Sequence, residues 1–196
     1  MKGDTFSAGR NTMTIYYDRG LVAGKDKNME TRVSGSGGGG GTYQGTGATA
    51  PVHITSTTII HDKIYLQKEN GKERAVELTN WDVACREGHD MVVAWIIPEG
   101  KENGDYTAIK NITTGSELYD NEVIRGLGNQ HLIKKGILRF LVAVVLLIIL
   151  YNMGGSTLVG LGVVAYIVYE IFMNAQNKQA AAVIKKNLEA LMNTQN

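Results

Sequence analysis

The sequence predicts an α+β membrane protein, in which a small antiparallel β-barrel or sandwich domain precedes a two-helix transmembrane hairpin and a C-terminal amphipathic helix. Three observations support this prediction. The stretch from Phe140 to Tyr169 contains no Asp, Glu, Lys, Arg or His, which is typical of a segment dissolved in hydrocarbon. Alternating β-branched residues recur within residues 51–115. Apolar residues at helical spacing follow residue 175.

The charges are unevenly distributed, although the net charge of the 196-residue chain is only +1. Residues 1–129 contain 14 Lys and Arg and 17 Asp and Glu, a net of −3, whereas residues 130–196 contain 6 and 2, a net of +4. The basic part is therefore the part expected to contact anionic lipid headgroups. No basic patch dominates the rest of the chain, which argues against nucleic acid as a partner.

The first 50 residues are predicted to form an irregular, glycine-rich region with short strands. Met13–Tyr17 and Leu21–Ala23 are the candidate strands, and Asp18–Gly20 is the expected turn between them. The glycine run at 35–41 precedes neither a helical pattern nor a Lys-Ser/Thr pair, so it does not match a phosphate-binding loop. It is either a flexible tether or a packed glycine layer.

About five strands are predicted in a β-rich soluble domain at residues 51–115. The strongest local signal is Asn70-Gly71 between two alternating runs, which predicts a hairpin with a type I′ turn. The apolar run Met91–Ile97 predicts a buried strand. Short connections favour antiparallel pairing of successive strands, as in small SH3-like or OB-like barrels. A basic connector at 116–135 leads to the membrane segment, and its first part is predicted to be either a short helix or an irregular connection.

The membrane segment is predicted to be a helical hairpin at 136–174 with its turn at 152–156. A transmembrane helix needs about 20 apolar residues, and each half approaches this length when its flanking residues are included. Glycine adopts positive φ, and Asn and Ser bond the local backbone. The residues that supply this turn chemistry are Asn152, Gly154, Gly155 and Ser156. The alternatives are one tilted helix of about 30 residues and a re-entrant hairpin.

Basic residues predict the orientation of the hairpin, since both flanks carry Lys and Arg and the turn carries none. Lys and Arg near membrane ends stay on the cytoplasmic side. Both termini are therefore expected in the cytoplasm, in an integral protein of a bacterial inner membrane. Arg139 and Glu170 each lie fifteen residues from the glycine turn. An antiparallel hairpin places them at one depth, where they either pair or extend separately to the headgroups.

Residues 175–196 are predicted to form an amphipathic helix, because their apolar residues recur at helical spacing. Four placements remain open at this point. The helix continues the second membrane helix, lies on the headgroups, packs against a second copy, or contacts the β-domain.

Residue types and spacing indicate no catalytic site, no metal site and no cofactor site. The single cysteine, Cys85, excludes an intrachain disulfide, which suits a reducing cytoplasm. Cys85 and His89 lack further ligands at the spacing of a metal site. Arg86 and His89 belong to the densest polar cluster of the chain, which lies on a strand connection, so they mark a candidate interaction loop.

These features predict a non-catalytic membrane-anchored scaffold or adaptor. The lipid bilayer holds the hairpin, and the cytoplasmic β-domain binds a protein partner or further copies of itself as a homo-oligomer. The first alternative is a subunit of an oligomeric channel or transport complex, although the apolar halves lack the buried polar residues that line a pore. The second alternative is an enzyme at the membrane surface, with Arg86 and His89 in its site.

Overall fold

The computed structural model contains an antiparallel β-sheet region followed by one long apolar helix. The chain divides into two compact units. The first comprises Met1–Asp18 with Val92–Asn196, and the second comprises Arg19–Met91. The residues that the structure describes are 2–37, 42–43, 46–47 and 52–195. Most of the glycine run at 35–41, which we interpreted as a tether or a packed layer, lies outside the described residues.

The described residues form nine strands and two helices. The strands are β1 (Lys2–Ala8), β2 (Asn11–Ser36), β3 (Thr42–Tyr43), β4 (Thr46–Gly47), β5 (His53–Gln67), β6 (Glu73–Thr79), β7 (Asp90–Pro98), β8 (Asp105–Asn111) and β9 (Ser116–Tyr119). The helices are α1 (Asn121–Leu127) and α2 (Gly136–Thr194).

The first unit has a hydrophobic core between its strands and the end of α2. β1 pairs antiparallel with the start of β2, and the order continues from β2 through β7 and β8 to β9. The prediction of a buried strand at Met91–Ile97 is confirmed, since β7 is buried along most of its length. Because its apolar residues are consecutive, both faces of the strand are apolar, and both are expected to be buried. The core residues are Ala8, Met13, Ile15, Val92, Ala94, Ile96, Ala108, Ile124, Ala180, Ile184, Leu188 and Met192.

The second unit contains the strand order β6-β5-β2. The predicted hairpin at Asn70-Gly71 is confirmed, because β5 and β6 pair antiparallel up to Gln67 and Glu73. Its turn differs from the predicted type I′. Gly71 has a φ of 75°, whereas Asn70 is not among the residues with positive φ, and Asn70 Oδ1 accepts a hydrogen bond from Lys72 N at 3.1 Å. The loop therefore spans five residues, 68–72, instead of two.

The predicted turn at Asp18–Gly20 is wrong, because β2 continues through it from Asn11 to Ser36. Tertiary contacts explain the difference. Arg19 Nη2 lies 2.6 Å from Asp90 Oδ2. This ion pair gives Arg19, a residue type common in solvated turns, a charged partner within the sheet region. The irregularity in β2 is instead a register shift between Val22 and Gly24, which is compatible with an extended strand.

Two further predictions about the sheets need correction. The predicted barrel or sandwich is an antiparallel sheet whose described strand order remains open in each unit. The connector at 116–135 contains β9 as well as the short helix α1. Asp120 caps α1, since its carboxylate accepts hydrogen bonds from Glu122 N and Val123 N, as expected for an N-cap residue.

The predicted five-residue turn at 152–156 is also corrected, because the structure assigns α2 as one helical element throughout this stretch. Non-helical dihedrals are confined to two residues, Gly154 (φ −154°, ψ 17°) and Gly155 (φ 66°, ψ −155°). The dihedrals of Gly155 are accessible essentially to glycine alone. The break is therefore short, and two helical segments meet directly at Gly154–Gly155.

α2 occupies two different environments along its length. By length and composition it is long and apolar enough to cross a membrane, and its most apolar 18-residue window has a mean hydropathy of 2.3 with no residue buried. Its C-terminal part is buried at Met173 and at four-residue intervals from Ala180 to Met192. Of the four placements considered for residues 175–196, the structure combines two: the segment continues α2, and it contacts the strands of the first unit.

Candidate functional site

Arg139 and Glu170 lie together, with Arg139 Nε 3.4 Å from Glu170 Oε1. The two residues are 31 positions apart, which would separate them by about 46 Å along a straight helix. The contact therefore requires that α2 fold back on itself at Gly154–Gly155. A second contact supports this geometry: a Cβ added at Gly162 would lie 2.7 Å from Leu150 Cδ1. The small residue allows the two segments to approach closely.

His131 joins this pair from the connector before α2. Its Nε2 lies 3.3 Å from Glu170 Oε2, and its side chain is 2% exposed. Arg139 Nη1 donates a hydrogen bond to Ile133 O at 3.2 Å. We call His131, Arg139 and Glu170 the charged cluster. Arg139 and Glu170 were predicted from the sequence as neighbours, whereas His131 was not, because it lies 39 positions from Glu170.

Two asparagines determine how His131 can share a proton with Glu170. Asn129 Oδ1 lies 3.0 Å from His131 Nδ1, and Asn177 Nδ2 lies 3.2 Å from the same atom. If Nδ1 carries no hydrogen, it accepts from Asn177, and Nε2 donates to the carboxylate of Glu170. If both ring nitrogens are protonated, Nδ1 donates to Asn129 instead. Nε2 therefore donates to Glu170 in each form of the ring that carries a hydrogen on Nε2.

Gln130 fixes the connector that carries His131. Its side chain amide donates to Ala8 O at 3.0 Å and accepts from Arg10 N at 2.6 Å. Its backbone N–H donates to Asn177 Oδ1 at 2.7 Å. These bonds connect the turn between β1 and β2 with the connector and α2. The charged cluster is consequently held by the packed part of the first unit.

An apolar cavity of about 370 Å³ lies beside Arg139, between the two segments of α2. Its volume is within the range of small-molecule sites. The lining residues are Leu132, Ile133, Arg139, Val142, Ala143, Leu146, Leu147, Leu150, Gly162, Ala165, Tyr166 and Tyr169. Tyr169 also contacts the ring of His131 edge-on, with 6.0 Å between ring centroids. The lining offers hydrocarbon surface and one guanidinium, which suits an apolar occupant.

The other residues selected from the sequence lie apart from the charged cluster. Asn152 is exposed, and its Nδ2 donates to Ile148 O at 2.8 Å. Ser156 is exposed beside the glycine break. Arg86 O accepts from His89 N at 3.1 Å, and His89 O accepts from Val22 N at 2.9 Å. The predicted interaction loop is thus held against β2 by its backbone.

Cys85, next to this loop, has no feature of an activated thiol. Burial is the main cause that raises the pKa of Cys85 above its ordinary value, and nearby Lys25 only partly opposes this effect. A raised pKa keeps the thiol protonated and reduces its nucleophilicity. Within the described part of the chain, no group of three or more His, Cys, Asp and Glu could hold a metal ion.

A second candidate surface is a two-stranded arm that extends from the second unit. We call it the β-arm and define it as Met29–Ser36 paired with His53–Ile60. β6 accompanies β5 only as far as Thr79, opposite His61. Asn80 closes that edge, because its Oδ1 accepts from Ile60 N and its N–H donates to Ile60 O. The β-arm therefore extends beyond β6 as two strands.

A buried ion pair supports the base of the β-arm. Lys25 Nζ lies 3.1 Å from Asp62 Oδ1, and Asp62 Oδ2 accepts from Val83 N at 3.1 Å. Lys25 also donates to Val83 O, and Lys27 pairs with Asp82. Because Asp62 pairs with Lys27 in the ladder, these side chains share a face, and the segment around Val83 covers that face at the base of the β-arm. The edge of β2 that points away from β5 is called its outer edge; among the described residues, no strand pairs with it within the β-arm.

The two faces of the β-arm differ in polarity. Paired residues in an antiparallel ladder share a face, so the register places Met29 with Ile60, Val33 with Ser56 and Gly35 with Ile54. We call this the apolar face, because its large side chains are apolar, although Thr31, Ser56 and Thr58 also lie on it. Met29 and Ile54 are nevertheless 70% exposed, and Val33 is 67% exposed. The opposite face carries the charged residues Glu30 and Arg32.

Comparison of the chain with protein-family models, with curated proteins and with solved structures found no match. Three features of the chain bear on its function: the exposed apolar part of α2, the charged cluster and the β-arm.

Proposed function

We propose that the protein is a non-catalytic membrane-anchored scaffold or adaptor, whose β-sheet region binds a protein partner or further copies of the same chain. The observation that carries this proposal is the exposure of α2 before Met173. Apolar side chains are exposed along most of this segment, apart from a half-buried stripe where its two halves approach each other, whereas the same helix is buried against the first unit after Met173. Apolar patches of this extent favour a lipid or protein environment over water.

In the proposed arrangement, the two segments of α2 form a transmembrane hairpin with its Gly154–Gly155 break on the far side of the bilayer. The ion pair between Arg139 and Glu170 supports it, because the pair sets two residues from opposite segments at one depth. Lys134 and Lys135 precede the hairpin and Lys178 follows it, which favours a cytoplasmic location for both ends. The host is proposed to be a bacterial inner membrane.

Cysteine labelling tests the membrane topology. Ser156→Cys and a cysteine appended after Asn196 are introduced separately into a Cys85→Ser background. A membrane-impermeant maleimide added to intact cells should label Ser156→Cys and leave the C-terminal cysteine unlabelled until the cells are opened. Labelling of both sites from one side, or full extraction of the chain by alkaline carbonate, would contradict the proposal.

The mass of the detergent-solubilised complex tests the scaffold function. The full chain should purify as an assembly that contains more than one polypeptide, identified by mass spectrometry. Recovery of only the 21.3 kDa monomer from membranes, at native expression level and without a co-purifying protein, would exclude both self-assembly and stable partner binding.

A further inference from the structure

We propose that the outer edge of β2 in the β-arm pairs antiparallel with the same edge of a second copy, in a register centred on Thr31. This inference deepens the proposed scaffold function and rests on it, because anchoring in one membrane raises the effective concentration of copies. The result would be a four-stranded sheet, β5-β2-β2-β5, across a two-fold axis.

The β-arm is incomplete as a structural unit. An isolated two-stranded ribbon is marginally stable in water, and three or more strands with an apolar face are needed for independent stability. Met29, Val33 and Ile54 remain largely exposed on its apolar face. The outer edge of β2 beyond Lys27 also presents backbone groups that can pair with another strand. A further strand on this edge would supply the third strand of the sheet and would pair these backbone groups.

Charge complementarity favours β2 of a second copy as the strand that is added to this edge. Between Asn28 and Ser36, β2 carries one carboxylate, Glu30, and one guanidinium, Arg32. When Thr31 lies opposite itself, Glu30 of each copy faces Arg32 of the other, and Met29 faces Val33. Opposite charges and apolar pairs directly across an antiparallel ladder are stabilising. Both charged side chains are accessible, with exposed fractions of 49% and 69%.

Neighbouring registers are less favourable. Centring on Glu30 places two carboxylates opposite each other, and centring on Arg32 does the same with two guanidinium groups, which destabilises a ladder. A register centred between two residues sets apolar-face side chains opposite polar-face ones. The outer edge of β5 lacks this selectivity, because residues 54–60 contain no charged side chain.

Charge reversal in the full chain tests the register. Glu30→Arg alone and Arg32→Glu alone each place like charges opposite each other in the proposed dimer, and each should weaken self-association about tenfold. A mixture of the two variants, carrying different affinity tags, should associate as the unmodified chain does. Each variant lacks the intrachain contact between Glu30 and Arg32, which is 2.8 Å long, so recovery in the mixture reports only on pairing between copies.

Disulfide trapping in the Cys85→Ser background gives a second readout. Thr31→Cys places two cysteines directly opposite each other, at a separation suited to a disulfide. In the same register, the cysteines of Val33→Cys are about 13 Å apart along the strands and should stay unlinked. Mild oxidation should therefore give a covalent dimer with Thr31→Cys only.

The outcomes separate this inference from the proposed function. If the chain assembles but charge reversal leaves its mass unchanged, or the mixture fails to recover, the proposed edge pairing is wrong and the scaffold function stands. Preferential crosslinking of Val33→Cys would also overturn the register. If the unmodified chain is monomeric but retains a different co-purifying protein, self-pairing is excluded and the adaptor function stands.

Discussion

Lys110 shows how one side chain connects two strands with the end of a helix. Its Nζ donates to Met192 O at 2.9 Å and lies 3.1 Å from Glu117 Oε1, and its side chain is 5% exposed. A cation near a helix C-terminus also interacts favourably with the helix dipole. This one residue therefore supports the docking of α2 on β8 and β9.

We expect Lys110→Met to lower the free energy of unfolding of the first unit by about 2 kcal/mol. The change leaves the Glu117 carboxylate and the Met192 carbonyl without their charged partner. Thermal unfolding of the detergent-solubilised protein measures the loss. Lys185→Met is the matched control, because Lys185 is 46% exposed and lies 4.0 Å from Glu189; an equal loss in the control would contradict this role of Lys110.

Glu117 should make the stability depend on pH in the acidic range. The hydrogen bond from Tyr119 Oη is the largest cause that lowers the pKa of Glu117, Lys110 lowers it further, and burial opposes both. A carboxylate with a lowered folded-state pKa stabilises the fold above its unfolded pKa, and this contribution is lost as pH falls through the folded pKa. The stabilisation should therefore disappear at acidic pH.

The test compares the wild type with Glu117→Gln at about pH 7 and about pH 3. At about pH 7 the wild type should unfold at a higher temperature than Glu117→Gln. At about pH 3 the difference between their unfolding temperatures should be smaller. Tyr119→Phe should remove part of the same pH dependence. A difference that is constant between the two pH values would show that the ionised carboxylate does not stabilise the fold.

At the scale of elements, the break in α2 depends on the backbone of one glycine. A Cβ at Gly155 would meet nothing within 4 Å, so the cost of a side chain there comes from the dihedral angles alone. We expect Gly155→Ala to destabilise the two-segment arrangement by about 1–3 kcal/mol, seen as a lower unfolding temperature in detergent.

Gly160 provides the control for this prediction. It also has open space for a Cβ and has no positive φ, and alanine is the better helix former by about 1 kcal/mol. Gly160→Ala should therefore be neutral or stabilising. If both substitutions have the same effect, the conformation of Gly155 is not what forms the break.

The sequence predicts elements well where local chemistry and tertiary contacts agree. Asn70-Gly71 and the apolar run of β7 are such cases. The turn expected at Asp18–Gly20 fails because Arg19 finds Asp90, 71 positions away. His131 was not predicted as part of the site, because its partners Glu170 and Asn177 lie 39 and 46 positions away in the sequence. The sequence did contain a signal for a partner of Glu170, because a carboxylate at the edge of an apolar segment requires a hydrogen-bond donor.

At the scale of the molecule, the two parts of α2 have different surroundings. Val145 lies in its exposed apolar part and is 55% exposed, whereas Ile184 is fully buried in the core of the first unit. Val145→Lys should reduce stable membrane insertion, since a lysine at the centre of a transmembrane helix costs about 2.5–3.5 kcal/mol. Ile184→Ala should instead lower the free energy of unfolding by about 3 kcal/mol and leave insertion intact.

Membrane fractionation and thermal unfolding separate these two effects. Val145→Lys should increase the share of the protein that alkaline carbonate extracts, and Ile184→Ala should lower only the unfolding temperature. Equal extraction of the two variants would contradict the division of α2 into a lipid-exposed part and a docked part.

The uninterrupted helical path from Ser156 to Met192 has a mechanical consequence. A helix is stiff over this length, so the exposed apolar half and the docked half rotate as one rod. Any torque applied to the exposed half would reach the core of the first unit, in which Ile184 and Leu188 are buried, and would reach β8 through the bond of Lys110 to Met192 O. In the proposed membrane arrangement, a change in bilayer thickness alters the tilt of this rod and thereby loads the sheet on which the rod is docked.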